Sequence, residues 1–421
     1  MAARSVPLSP PQLKDGYWYY AGRFSTPCLG ITAFRMARPQ HEYPRLGSNR
    51  QLVLAAQIAF LPTGILTTLL GPMLPILIAR WALNDTQAGN LFLVQFLAAL
   101  AGVQISGILL ARAGFRPAFL SGLLLMAGGV ATLYLGSPAL GMVSVAVYGL
   151  GLGLIVPTDN LMIAEITPDS RAAAVSLLNF YWGVGAVLCS VLVAWAQRHQ
   201  LIPVFLGAVS VFLVVLAVSV RNLPFPHAVK ASGSPVAWRK ICKDPAIWLF
   251  AAVFFLYPGA ETAVGGWIGS YVARMGSGGA AMGPMMPAFF WSALMLGRAA
   301  AGLLLRHVPE RRVLEVGFLT GTAGIGLMLW SSSLPGVTAA ALITGFSFAT
   351  LYPITVARFS HRFGVAARSI GSVMFSLASL GPAVLPWTVG VISKTTGNLR
   401  AGLAVPLAAT VILLLIHIRD W

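Results

Sequence analysis

Between Arg50 and Arg80 the chain runs for 29 residues without one charged side chain. A helix needs roughly 20 apolar residues to cross a hydrocarbon layer of about 30 Å. Eleven further apolar stretches follow, and together they predict spans at about 51–79, 87–111, 117–135, 139–164, 172–196, 201–220, 246–273, 285–305, 313–331, 337–357, 369–392 and 401–418. Composition agrees: 9% of the residues are charged and 57% hydrophobic, whereas a soluble domain carries about 25% charge to wet its surface. A soluble fold and a disordered chain are both excluded. Three cysteines, Cys28, Cys189 and Cys242, are too few for a disulfide framework and match no metal-ligand spacing. The expected fold class is an all-α membrane protein of twelve transmembrane helices.

A net charge of +17 would suggest a nucleic-acid binder on a soluble surface. Here the positions of the charges decide. An even number of spans puts both termini on one side, and 22 of the 28 Lys and Arg residues fall there. Five lie on the other side (Arg80, Arg198, Arg274, Lys394, Arg400), and Arg298 lies within a span. Basic residues mark cytoplasmic loops, so both termini are expected in the cytoplasm, in a multi-pass protein of the inner (plasma) membrane. No nucleic acid is expected.

Residues 1–50 read as a basic cytoplasmic tail in which 1–35 are either an artefact of a misassigned start, with Met36 opening a conventional short tail, or a disordered extension, and are expected to be dispensable; they hold no apolar stretch long enough for a signal sequence. The Pro-rich basic loop 221–245 divides the spans six and six, into bundles at 51–220 and 246–421. Internal similarity at an offset near 196 supports duplication. Pro62 matches Pro258, and Gly149 with Pro157 recurs as Gly345 with Pro353. One residue further out, Arg171 and Ala186-Val187-Leu188 recur as Arg368 and Ala383-Val384-Leu385.

The loop between the second and third spans carries Gly107, Ala111, Arg112, Gly114 and Arg116. This resembles the cytoplasmic signature of the major facilitator superfamily, with Ala111 at the position of its acid. Within that superfamily the chain is most similar to the fucose/proton symporter group of sugar permeases. The resemblance rests on Tyr257-Pro258-Gly259-Ala260-Glu261-Thr262, on Gly265-Gly266-Trp267, on Pro157 to Asn160, and on Leu178-Asn179-Phe180 with Gly183 and Gly185. It implies two pseudo-symmetric six-helix bundles around a central solute site, and a cytoplasmic gate including Gly107, Arg112, Gly114, Arg116, Arg171 and Arg298. The resembled group's fourth-span acid falls on Val156, one turn before Asp159. The drug/proton antiporter branch fits less well: Tyr148 stands before Gly149, and the fifth span has Gly183 and Gly185 without proline.

Of eleven acids only Asp159 and Glu261 fall inside spans, where a charge costs about 2.5–3.5 kcal/mol on insertion scales. Asp159 reads either as a carboxyl that binds and releases a coupling proton or as half of an ion pair with Arg112, Arg171 or another basic residue at the cytoplasmic gate. Glu261 stands in a Pro- and Gly-rich run that favours a broken helix, tolerated at membrane depth where it lines a cavity. It is expected to accept hydrogen bonds from solute hydroxyls, with Trp267 as an apolar platform. Asn160, Asn179 and Gln57 could contact the solute, because amides both donate and accept. Gln95 belongs with these amides, and Tyr181, Trp182 and Tyr352 could line the cavity. Each of these amides and aromatics could equally be interhelical packing. Arg298 is expected to reach helix C-termini or Glu315 near the cytoplasmic end of the eighth span.

The chain contains no phosphate loop and no hydrolase motif. No enzyme activity, cofactor or metal is expected. The reading is a secondary transporter, working as a monomer in the lipid bilayer and importing a small hydroxylated solute together with protons. Major-facilitator efflux and facilitated uniport are the alternatives.

Overall fold

The computed structural model describes residues 12–14, 17–19, 46–226, 243–364 and 367–420. Most of the expected N-terminal tail and the centre of the 221–245 linker lie outside the described residues. The chain divides into a unit Met1–Tyr43 and a unit Pro44–Trp421. In the first, strands Gln12–Lys14 and Tyr17–Tyr19 pair antiparallel. Everything that follows concerns the second.

Twelve helical spans are long and apolar enough to cross a bilayer: Arg50–Thr68, Asp85–Ala113, Phe115–Thr132, Pro138–Ile166, Ala173–Arg198, Ile202–Val220, Pro245–Ala273, Gly278–His307, Glu310–Trp330, Leu334–Phe363, Val373–Thr396 and Leu399–Ile418. Asn84 and Gln87 close a reciprocal capping box at the start of the second span, and Asp244 accepts from Ala246 N–H at the start of the seventh. Gly114, at φ +82°, turns the chain between the second and third spans, a backbone region that favours glycine.

Two expectations about continuity need correction. The first span, expected as one run, consists of helices Leu46–Thr68 and Leu70–Trp81, and the tenth of Leu334–Phe348 and Leu351–Phe363. Each interruption lies three to four residues before a proline, Pro72 or Pro353, which has no N–H to return to the preceding turn. Conversely the seventh span, expected to break around Glu261, is one helix over Pro245–Ala273 with Pro258 inside it. Its glycines serve packing. A Cβ on Gly259 would stand 2.8 Å from the Gly381 carbonyl, and one on Gly266 2.7 Å from the Phe92 ring.

The spans pack in a pattern that repeats after six. The first lies on the fifth as the seventh lies on the eleventh, the second on the fourth as the eighth on the tenth, and the third on the sixth as the ninth on the twelfth. Glycines at the duplicated positions make the same close approaches. A Cβ on Gly149 would meet the Gln95 carbonyl at 2.5 Å, and one on Gly345 the Phe290 carbonyl at 2.2 Å. Gly185 and Gly381 repeat this against Leu61 and Phe255, at 2.1 and 1.9 Å. Backbone oxygens cannot retreat as a flexible side chain can, so Gly345→Ala should destabilise the fold by about 3 kcal/mol. A melting temperature in detergent equal to that of the parent would refute this packing argument.

Between the halves, the second span packs on the eleventh, the fifth on the eighth and the first on the seventh. These three seams surround the candidate site.

Candidate solute cavity

A cavity of about 170 Å³ lies where the first, second, fifth, seventh, eighth and eleventh spans converge. Its wall includes Thr67, Phe92, Trp182, Glu261, Thr262 and Trp291. Trp182 and Trp291 meet edge to face at 5.8 Å, across the seam between the fifth and eighth spans. The Trp182 indole N–H reaches the Thr67 hydroxyl at 3.4 Å. Gln95 donates to the Thr67 carbonyl at 3.1 Å, beside the interruption of the first span, and accepts from the Tyr148 hydroxyl at 2.9 Å. An apolar, aromatic cavity with a few fixed polar groups is the common form of a small-molecule site.

The polar centre of the wall is Glu261 on the seventh span; Tyr257, Arg298 and, against expectation, Tyr352 stand behind it rather than in the lining. The Tyr257 hydroxyl contacts Glu261 Oε2 and lies 2.7 Å from the Phe348 carbonyl of the tenth span. Tyr352 stacks on Tyr257 with ring centroids 6.1 Å apart. Arg298 approaches Glu261 Oε2 at 3.8 Å and stands over the Trp182 ring at 5.9 Å. The expected position of Arg298 is corrected here. It sits nine residues before the end of the Met286–His307 helix, about 14 Å along the axis, and Glu315 is held instead by Arg311 at 2.9 Å.

Beyond the cavity, on the face opposite the termini, Arg274 from the end of the seventh span makes a two-pronged ion pair with Asp85 at the start of the second. Ser393 of the eleventh span donates to the same carboxylate. Close by, the Trp387 indole donates to Asn90 at 3.0 Å. Together these contacts bridge the two halves at that face.

The other sequence-predicted residues are distributed differently. Asp159 is fully buried in the fourth span, away from the cavity wall, and neither carboxylate oxygen has a hydrogen-bond partner. Arg112 and Arg171 do not reach it: both are exposed, and Arg171 Nε donates to the Ala164 carbonyl at 2.9 Å. The Asn160 and Asn179 amides donate to the carbonyls one turn back in their own helices, Val156 and Val175, and Asn179 is exposed. Gln57 is buried and Tyr181 half-buried, neither in the cavity wall, and Tyr181 packs against Phe180. Trp267 lies wholly behind the wall and donates to the Pro386 carbonyl at 2.9 Å. Gly107 and Arg116 are exposed near the turn at Gly114. Sequence reading passed over Asp85 and Arg274 as loop residues. The available signal was that Arg274 is one of only five bases on its side of the membrane.

Residues 57–386 match the Major Facilitator Superfamily, and the chain belongs to that family. The 2-nitroimidazole transporter of Escherichia coli (strain K12) is 25% identical over 393 residues, covering 88% of this chain and 94% of its own. Among solved structures, a bacterial homolog of the human lysosomal transporter Spinster, in an inward-facing and occupied conformation, covers 89% of this chain and 97% of its own, at TM-score 0.71 and 13% identity. The fucose:proton symporter of E. coli covers 88% of this chain and 98% of its own, at TM-score 0.61 and 16% identity. The protein is thus an integral membrane transporter of the major facilitator type and not an enzyme.

Proposed function

We propose that the protein imports a small hydroxylated, sugar-like solute with protons, by rocking of residues 51–220 against 246–421 around the central cavity. One observation carries this reading: the cavity lies on the seam between the halves, which Asp85, Arg274 and Ser393 bridge at one face, and has an intramembrane acid in its wall. Such a site can be exposed to alternate sides by breaking one set of contacts and forming another. The 22 to 5 distribution of basic residues supports a cytoplasmic location for the termini. The likeness to a fucose:proton symporter supports proton coupling.

Phe92, Trp182 and Trp291 offer flat apolar faces to a ring, and Thr67, Thr262 and Glu261 offer partners for hydroxyls. Asp159 serves as the coupling proton site: a buried carboxyl without a polar partner is tolerated as the neutral acid. The deciding experiment is uptake of a panel of sugars and polyols into proteoliposomes with an imposed pH difference. Accumulation that follows the pH difference is expected, and failure of every solute to accumulate would refute the reading.

Breaking the Asp85 bridge should bias the cycle. An exposed ion pair contributes about 1 kcal/mol, roughly fivefold in the ratio of two conformations. Arg274→Gln should therefore raise labelling of a Thr68→Cys reporter by a membrane-impermeant thiol reagent added from the face opposite the termini. Equal labelling in both backgrounds would show that the pair does not hold that face closed.

A further inference from the structure

Arg298 presents more hydrogen-bond donors than the protein fills. A guanidinium carries five N–H groups and remains charged. Among the described residues its polar partners are the Tyr257 hydroxyl and the Glu261 carboxylate, and its Nε is buried with no partner. Its nearest carboxylate oxygen, at 3.8 Å, is beyond hydrogen-bond distance. Seven residues earlier on the same helix face, the indole N–H of Trp291 is also buried with no acceptor. Trp291 lines the cavity; Arg298 does not, but it stands over the ring of Trp182 and near Glu261, which do, and 31% of its side chain is exposed.

Glu261 and Arg298 form an ion pair at 3.8 Å when Glu261 is ionised, and a proton on Glu261 would release the guanidinium from it. The Tyr257 hydroxyl has one proton and two oxygens within reach, Glu261 Oε2 and the Phe348 carbonyl. A carbonyl can only accept. Both contacts are hydrogen bonds when Tyr257 donates to Phe348 and Glu261, carrying a proton, donates to Tyr257. In that protonated arrangement Glu261 would carry no charge to pair with Arg298. The charged and titratable groups that face Glu261 are Tyr257 on its own span, Arg298 on the eighth and Tyr352 on the tenth. Among the described residues, the first, eleventh and twelfth spans, which also pack on the seventh, bring it none.

We infer that the solute is an organic monoanion whose carboxylate pairs with Arg298 while its ring lies against Trp182 and Trp291, and that it binds only when Glu261 carries a proton. The inference rests on the transport reading above and takes its solute to be a ring-bearing acid, hydroxylated or heteroaromatic, in place of a neutral sugar. When Glu261 loses its proton, its carboxylate becomes the counter-ion of Arg298 and competes with the solute. At mildly acidic pH Glu261 keeps its proton through the transport cycle and so gates binding without coupling; the coupling proton is the one carried by Asp159.

The test uses the purified full chain and two probe pairs of similar shape, D-glucuronate with D-glucose and nicotinate with nicotinamide. A charge-assisted bond predicts that one carboxylate binds about tenfold or more tightly than its neutral partner at mildly acidic pH, and less tightly at alkaline pH. Arg298→Gln should abolish the preference. Glu261→Gln, fixed as the neutral form, should bind the carboxylate equally at both pH values. Binding of neither carboxylate, equal binding of the neutral partners, or a preference retained in Arg298→Gln would each overturn the inference. Should Arg298→Gln not fold, the parental preference and the pH response of Glu261→Gln decide it. Flux is scored separately in proteoliposomes. Transport of a neutral solute without carboxylate binding overturns this inference alone, whereas carboxylate binding without any flux overturns the transport reading instead.

Discussion

The Asp159→Asn variant should exchange labelled for unlabelled solute at close to the parental rate and fail to accumulate solute against a gradient. The amide has the shape of the protonated acid and cannot release a proton. Exchange needs only that the loaded carrier reorient, whereas accumulation needs a proton released on every cycle. With a pH difference of about one unit, one coupled proton supplies about 1.4 kcal/mol. The parent should then accumulate solute about tenfold, and the variant should only equilibrate it. The melting temperature should change little, because the amide replaces an acid that has no partner to lose. The duplicated position in the second half shows how a polar group at this depth is normally satisfied: Thr355 donates to the Leu351 carbonyl of its own helix at 2.7 Å. Asp159 has no such bond, so the shape of the bundle does not require a carboxyl there. Full pH-driven accumulation by the variant would eliminate Asp159 as the coupling site and leave Glu261 as the next candidate.

The spans were legible in the sequence because a charge-free run such as 51–79 has few other uses, and the duplication because close helix approaches need glycine in both copies. Gly185 and Gly381 are separated by the same 196 residues as Gly149 and Gly345, a match visible only once their shared contact with a facing carbonyl is known. The site was legible in part. Glu261 could be singled out as an acid at membrane depth, but the reach of Arg298 could not, since a long side chain on a helix can extend toward either end. The amides misled for a different reason. Asn160 and Asn179 can bond to carbonyls in their own helices, an option open to any short polar side chain and invisible in spacing. The bridge between Asp85 and Arg274 joins residues 189 apart in the chain, and pairing at that distance depends on how the halves dock.

Replacing Glu261 should have the largest effect on the solute, and the two obvious substitutions should differ. Glu261→Gln keeps the side-chain shape and a hydrogen-bonding group beside Tyr257, so affinity at acidic pH should stay near that of the parent. Glu261→Ala removes that group from the cavity wall and leaves Tyr257 bonded only to the Phe348 carbonyl. Loss of one buried hydrogen bond corresponds to about 1–3 kcal/mol, so the alanine variant should bind solute about 5- to 150-fold more weakly. A merely structural glutamate predicts the opposite division: the melting temperature would fall, because the seventh span loses its contacts with the eighth span's Arg298, while affinity in the folded fraction would not move. Direct binding measured beside thermal melting separates the two. Unchanged affinity in Glu261→Ala would return this residue to helix packing, and the polar work of the cavity would then fall to Arg298, Thr67 and Thr262.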